Sequence, residues 1–219
     1  MGLGVAEKNK MAERAAREIT EGMVVNLGIG IPSLVPNHFK GRKNIIFHAE
    51  NGILGIGKSP AEGKEDENLC NAGGFPVTLE TGGSYCDSSV AFSIIRRGLL
   101  DLTILGALEV SEKGDLANWI IPGKKVPGMG GATELAMKTK KVIVVMAQCD
   151  KYGKSKIVEE CTLPLTAKGC VDLIITDMGV FEVTNTGLRL TEIFTPYDLE
   201  DIKRSTEANF DRAAALRFI

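Results

Sequence analysis

Residues 141–148 read KVIVVMAQ, and the way this run can bury itself decides the fold class. Val142, Ile143, Val144 and Val145 follow one another with no polar residue between them. Successive side chains of a strand point to opposite faces, so four apolar positions in a row demand cover on both. Strands of parallel sheets read this way because crossover helices lie over each face. The runs MVVNLG from Met23, NIIFHAE from Asn44, DLTILGALEV from Asp101 and VDLIITD from Val171 have the same character.

Helical stretches alternate with these runs. Met11, Ala12, Ala15, Ala16 and Ile19 recur at helical spacing and predict an amphipathic helix over residues 5–20, ending near Gly22. Further helices are predicted over residues 32–40, with Pro32 in the first turn, over 88–97 and over 132–138. A terminal helix is predicted from about Asp198, with Leu199, Ile202 and Phe210 on its buried side. This order predicts an α/β fold, a single domain over residues 1–219 built on a mostly parallel open sheet flanked by helices. Residues 58–85 hold charges, NAGGFP and TGGSY without periodicity, and read as a long loop excursion.

Composition excludes several functions. With 26 basic and 28 acidic residues the formal charge is −2, which leaves no basic stripe for nucleic acid and no polybasic segment for an anionic membrane. Cys70, Cys86, Cys149, Cys161 and Cys170 are odd in number and never spaced as Cys-x-x-Cys. A disulfide framework or a metal site is therefore not expected, and the thiols read as inert core residues in a reducing compartment. The opening MGLGVAEKNKMAERAAREI lacks an apolar secretory core, and no apolar run approaches membrane-spanning length. The expected location is cytoplasmic.

Ligands of open α/β sheets gather where strands end, which brings three glycine-rich turns forward: NLGIGIPS (26–33), ENGILGIGKS (50–59) and PGMGGATE (127–134). The first begins like a dinucleotide fingerprint at Gly28 and Gly30, yet Ser33 stands where its last glycine belongs. In the second, Gly52, four residues and Gly57-Lys58-Ser59 spell a phosphate loop. That loop works from the first turn of a helix, and the following AEGKEDEN has almost no apolar face with which to dock one. The same turn carries Glu50 at the mouth of an apolar strand. A carboxylate held there and partly stripped of water can act as a nucleophile; it can equally be a solvated acid bonded to turn amides.

FHAENGILG, around Glu50, resembles the active-site signature of the family I coenzyme A transferases, whose usual form contains Ser-Glu-Asn-Gly. NLGIGIP, DLTILGALEVSEKGDLANWIIPGKKVPGMGGATEL, KKVIVVMAQ and CVDLIITDMGVFEV are similar to the beta (B) subunit of that family, in the same order. The resemblance covers nearly the whole chain. Three departures stand out: Ala49 replaces the signature serine, Glu109 stands where glutamine is common, and GGATEL replaces GGAMDL.

The resemblance implies a fold of the CoA-transferase type and names Glu50 as the catalytic residue. It would exchange CoA between an acyl-CoA and a 3-oxoacid or short-chain acid through an anhydride and a glutamyl-CoA thioester. Coenzyme A is then a substrate rather than a bound cofactor, and no metal or nucleotide is required. Gly130 and Gly131 would offer backbone N–H groups near the thioester, Asn26 would orient a carboxylate, and Asn51 and Gly52 would hold Glu50 and admit the ligand. An alpha (A) subunit is implied as partner, in a heterodimer or heterotetramer. Two rivals stand beside this reading: a phosphate-loop nucleotide-binding protein using residues 52–59, and a non-catalytic acyl-CoA-binding subunit. His48 is either a participant beside Glu50 or a satisfied buried histidine; Trp119 reads as packing more than as a platform for adenine. Lys124 and Lys125 are solvated lysines or contacts to CoA phosphates.

Overall fold

The run at 141–148 forms a doubly covered strand. In the computed structural model, which describes residues 3–39, 44–123 and 128–219, the strand Val142–Val145 is buried throughout. Ile143 and Val145 join one hydrophobic core, Val142 and Val144 the other. Neighbouring strands divide alike, Leu173 and Ile175 lying in the first core and Ile174 in the second.

In chain order the strands are β1 (Val24–Leu27), β2 (Ile46–Ala49), β3 (Ile53–Ile56), β4 (Leu79–Tyr85), β5 (Leu102–Leu105), β6 (Glu109–Ser111), β7 (Leu116–Ala117), β8 (Val142–Val145), β9 (Ile157–Val158), β10 (Leu173–Ile175), β11 (Gly179–Thr184), β12 (Gly187–Ile193) and β13 (Phe210–Phe218). Ten of them make one open sheet in the order β13-β12-β11-β10-β8-β5-β1-β2-β3-β4, and β7-β6-β9 make a second. The central strands β2, β1, β5, β8 and β10 run parallel. Antiparallel meanders extend both flanks through β3 and β4 and through β11 and β12, with β13 parallel to β12. The β12/β13 register slips, since Leu190 lies opposite Arg212 but Glu192 lies opposite Arg217.

Helix α1 (Val5–Ala16) and a 3-10 helix (Ile31–His38) cover one face, contributing Met11, Ala12, Ala15 and Val35 to the first core. Helices α2 (Ser88–Arg96), α3 (Ala132–Lys138) and α4 (Leu199–Arg204) bring Ile95, Leu135 and Ile202 to the second. A buried ion pair fastens α1 to the sheet. Arg14 donates to Glu192 of β12 from Nε at 2.6 Å and Nη2 at 3.0 Å, and Glu192 is only 1% exposed. Arg217 also donates to Glu192. Burial alone would lower the Arg14 pKa, but the carboxylates of Glu192 and Glu18 reverse this and raise it.

Several expectations need correction. The helix predicted over 32–40 is the shorter 3-10 element, because Pro36 inside it has no N–H for an α-helical bond. The terminal helix stops at Arg204, where Thr206 Oγ1 donates to the Ile202 carbonyl and Gln148 Nε2 takes the Ser205 carbonyl. Phe210 is therefore on β13, edge-on to Phe181 with centroids 5.5 Å apart, and not on a helix. The excursion is a loop only to residue 78; Leu79–Tyr85 is the strand β4, masked in the sequence by Gly82 and Gly83. The run from Asp101 breaks at Gly106, giving β5 to the large sheet and β6 to the small one. No helix follows Lys58 and Ser59. Ser59 is instead pinned by Asn37, whose Oδ1 accepts its N–H at 2.9 Å, so the phosphate-loop reading lacks the helix terminus it needs.

Candidate active site

Glu50 sits where β2 ends. The Ala49 carbonyl accepts the Gly52 N–H at 3.0 Å, closing a tight turn, and β3 returns with Ile53 beside Ala49 and Leu54 beside His48. The Glu50 side chain lines a cavity of about 580 Å³. Its walls come from the ends of parallel strands: Gly28 and Ile29 follow β1, and Leu105, Gly106, Ala107 and Leu108 close β5. Trp119, Met129, Gly130 and Gly131 complete the far side, and Ala72 reaches in from the excursion.

Glu50 is the one titratable side chain among the described lining residues. Burial pushes its carboxyl pKa above the usual 4.5, while its own backbone amide works the other way. Oε2 is buried with no hydrogen-bond partner among the described residues. A carboxylate short of donors is costly to hold and correspondingly reactive toward an electrophile brought beside it.

The cavity gathers Glu50, Gly130 and Gly131, three of the six predicted site residues. At Gly131 an added Cβ would lie 3.1 Å from ring atoms of Phe92 and 3.7 Å from Cγ of Glu50, so bare backbone abuts the carboxylate's stem. Asn26, Asn51 and Gly52 stand outside the described lining. Asn26 and His48 are fully buried on adjacent strands, with Asn26 Oδ1 and His48 Nδ1 2.9 Å apart. The Asn26 amide is better satisfied turned over: its nitrogen then donates to His48 Nδ1 and its oxygen accepts from Leu27 N at 3.2 Å. Burial lowers the His48 pKa, opposed by the Ala91 backbone, so the ring is a neutral buried group. Asn51 donates to the Cys70 carbonyl at 2.8 Å and ties the excursion to the turn.

Gly52 admits the chain's own backbone, with φ of 109° and the Cys86 carbonyl oxygen overlapping the place where a Cβ would stand. Gly52→Ala is expected to cost about 2–4 kcal/mol of stability, combining left-handed strain with a backbone clash. Urea denaturation of the purified variant measures this; an unchanged midpoint would mean that the turn relaxes freely.

Sequence reasoning did not single out Ile29, Ala72, Gly106, Asn118 or Met129. The glycine interrupting DLTILGALEV was the available signal. Trp119 lines the cavity and also donates from Nε1 to the Leu165 carbonyl at 3.3 Å. Lys124 and Lys125 lie outside the described residues. Two departures acquire local explanations. Ala49 is buried in the first core with Phe47, so its methyl leaves no polar group unpaired there. Glu109 accepts from Thr162 N and Oγ1 and from Leu163 N at 2.7, 2.8 and 3.0 Å. Against the expectation of core thiols, Cys70 is exposed and Cys86, Cys149, Cys161 and Cys170 are half-buried, with burial lifting the thiol pKa of Cys161 and Cys170 to about 12. Among the described residues no cluster of three or more His, Cys, Asp or Glu is placed to hold a metal, and no helix is long and apolar enough to cross a membrane.

Comparison with known proteins gives a consistent result. The family model described as Coenzyme A transferase matches residues 8–203. The beta subunit of a probable coenzyme A transferase from Bacillus subtilis is 59% identical over 208 residues, covering 95% of this chain and 96% of that protein. The B subunit of the succinyl-CoA:3-ketoacid coenzyme A transferase of Helicobacter pylori (strain ATCC 700392 / 26695) is 50% identical over 204 residues, covering 93% and 98%. Among solved structures, an acyl-CoA transferase apoenzyme from Escherichia coli O157:H7 superposes with a TM-score of 0.80 at 22% identity. That match covers 100% of this chain but 44% of the E. coli chain, so this chain spans less than half of that protein.

Proposed function

Because the chain belongs to the coenzyme A transferase family, which its relatives and the family match over residues 8–203 establish, we propose that it is the B-type half of an enzyme moving CoA from an acyl-CoA to a free carboxylic acid, with Glu50 as nucleophile. The observation that carries this reading is a buried carboxylate, unpartnered at Oε2, in a cavity otherwise walled by glycine, apolar groups, Asn118 and Trp119.

The proposed steps conserve the thioester. A Glu50 oxygen adds to the thioester carbonyl carbon, the tetrahedral oxyanion collapses, and CoA leaves as thiolate with an acyl-glutamyl anhydride behind it. The thiolate then adds to the glutamyl carbonyl carbon and expels the first carboxylate, giving glutamyl-CoA. An incoming 3-oxoacid or short-chain acid attacks that thioester, and the steps reverse. No ATP, metal or bound cofactor enters, because one thioester is exchanged for another. Donors preorganised around each oxyanion are the main source of acceleration in such steps. Gly130 and Gly131, which line the cavity, are the proposed donors of backbone N–H groups to the oxyanion. Asn26 and Asn51 are proposed to act from behind the cavity, Asn26 beside His48 and Asn51 from the turn through its bond to Cys70 of the loop that carries Ala72.

The relatives are named as beta or B subunits. An A-type subunit is accordingly proposed to complete the CoA site, in a heterodimer or heterotetramer within the cytoplasm. Incubating the reconstituted pair with an acyl-CoA and no acceptor is expected to leave CoA attached to the peptide containing Glu50. Mass spectrometry after digestion reads the adduct. Ligand binding without it would favour a non-catalytic acyl-CoA-binding subunit.

A further inference from the structure

The cavity has one wall whose support comes from a charge that the proposed steps do not use. Residues 106–108 connect β5 to β6, crossing from the large sheet to the small one, and all three line the cavity. On one side they are laced to the strand β7 and its extension: Leu108 N–H donates to the Ala117 carbonyl at 2.9 Å, and Asn118 Nδ2 donates to the Gly106 carbonyl at 3.2 Å. Asn118 is itself fixed, its Oδ1 accepting from Thr166 Oγ1 at 2.7 Å. The carbonyl of Ala107 accepts from Nζ of Lys156 at 2.7 Å.

Lys156 has no ion-pair partner among the described residues. Asp177 and Asp150 are the charged neighbours, and each is engaged elsewhere: Asp177 Oδ1 accepts from Gln148 N, and Asp150 Oδ1 accepts from Tyr152 N and Lys154 N. Half-burying an ammonium with no carboxylate within ion-pair distance is costly, and a single backbone carbonyl is an unusual place to aim it. The cost is understandable if the carbonyl's position matters. A charge-assisted hydrogen bond is roughly twice as strong as a neutral one, and here it acts on the middle residue of a three-residue bridge with no regular structure of its own.

Resting on the transferase reading above, we propose that Lys156 is a positioning residue for the Glu50 cavity, its ammonium group fixing residues 106–108 through the Ala107 carbonyl so that the acyl-CoA thioester is held against Glu50. Burial lowers the Lys156 pKa below 10.5, with Asp177 and Asp150 opposing the shift, so the clamp weakens at alkaline pH as the amine loses its charge.

Two measurements test this. Trp119, the chain's sole tryptophan, lines the same cavity and directly follows Asn118, so its fluorescence reports the wall without any need for turnover. In the full-length chain, emission is expected to change with a midpoint below 10.5. Lys156→Met should show shifted emission at neutral pH and no such transition, while Lys156→Arg should match the neutral wild type and hold its emission as pH rises. Lys156→Arg supplies the baseline, so any change with pH that all three proteins share is subtracted before the lysine transition is read. In the reconstituted pair, Lys156→Met is expected to lower kcat/KM for acyl-CoA by about 10–100-fold, mostly in kcat, as misplacement by an ångström or so would. Lys156→Arg should restore most of it and remove the alkaline limb of the pH profile. Unaltered Trp119 emission and titration in Lys156→Met, or equal losses in the Met and Arg variants with an unmoved alkaline limb, would overturn the proposal. If the wild-type pair transfers no CoA, the functional reading fails, and the fluorescence titration still decides whether Lys156 clamps the wall.

Discussion

Glu50→Gln is expected to reduce CoA exchange by the reconstituted pair by at least about 10⁴-fold, the scale seen when a covalent nucleophile is removed. An amide of the same shape keeps the cavity but cannot form the anhydride. Glu50→Asp, which keeps the carboxylate and withdraws it by one methylene, should retain more activity, losing about 10²-fold through misplacement. The same Gln substitution should make the chain more stable. Burial holds the folded-state pKa of Glu50 above the 4.5 of an ordinary glutamate, so the native state retains a proton that the unfolded chain has released. Stability conferred by the neutral carboxyl is fully present below that unfolded value and is lost as pH rises through the folded one. The thermal midpoint of Glu50→Gln should therefore coincide with wild type in acid and exceed it increasingly toward neutral pH. Undiminished exchange would end the proposal for Glu50; a variant less stable at neutral pH would mean that the carboxylate has a stabilising partner.

Glu192→Ala, on β12, is expected to weaken the fold strongly. It removes the acceptor of two Arg14 hydrogen bonds in a place where Arg14 is 6% exposed, leaving a buried guanidinium with only Glu18 to answer it. Breaking a buried pair by deleting one member typically costs about 3–5 kcal/mol. For a chain of this size that corresponds to a fall of about 6–20 °C in thermal midpoint. Arg14→Met paired with Glu192→Leu is expected to recover much of the loss, because the desolvation penalty disappears with both charges. Differential scanning calorimetry distinguishes the outcomes. A Glu192→Ala protein within about 1 kcal/mol of wild type would show that water reaches Arg14 when its partner is gone.

How much was legible follows from which forces act locally. The central strands announced themselves because Val142–Val145 and its parallel neighbours are buried on both faces, and burial on both faces writes itself into consecutive residues. Helices α2 and α3 were found within a residue of their ends. β4 was missed, since its Leu79–Tyr85 is an exposed outer strand that needs no apolar alternation. Phe210 misled because spacing from Leu199 and Ile202 fits a helix, while the helix end is enforced by Gln148, over fifty residues earlier in sequence. At the site, Glu50, Gly130 and Gly131 line one cavity. Gly52 was a different matter: its neighbour is Cys86, a contact that only the folded β3–β4 meander creates.

An unclosed sheet leaves a margin at each end where another chain's backbone can add. At β13 the slipped pairing with β12 and the charges of Asp211, Arg212 and Arg217 make that margin uneven and hydrophilic. At β4 the pair Gly82 and Gly83, the first with φ of 88°, bends the opposite margin. Neither rim is a flat template, which guards the protein against fibrillar stacking.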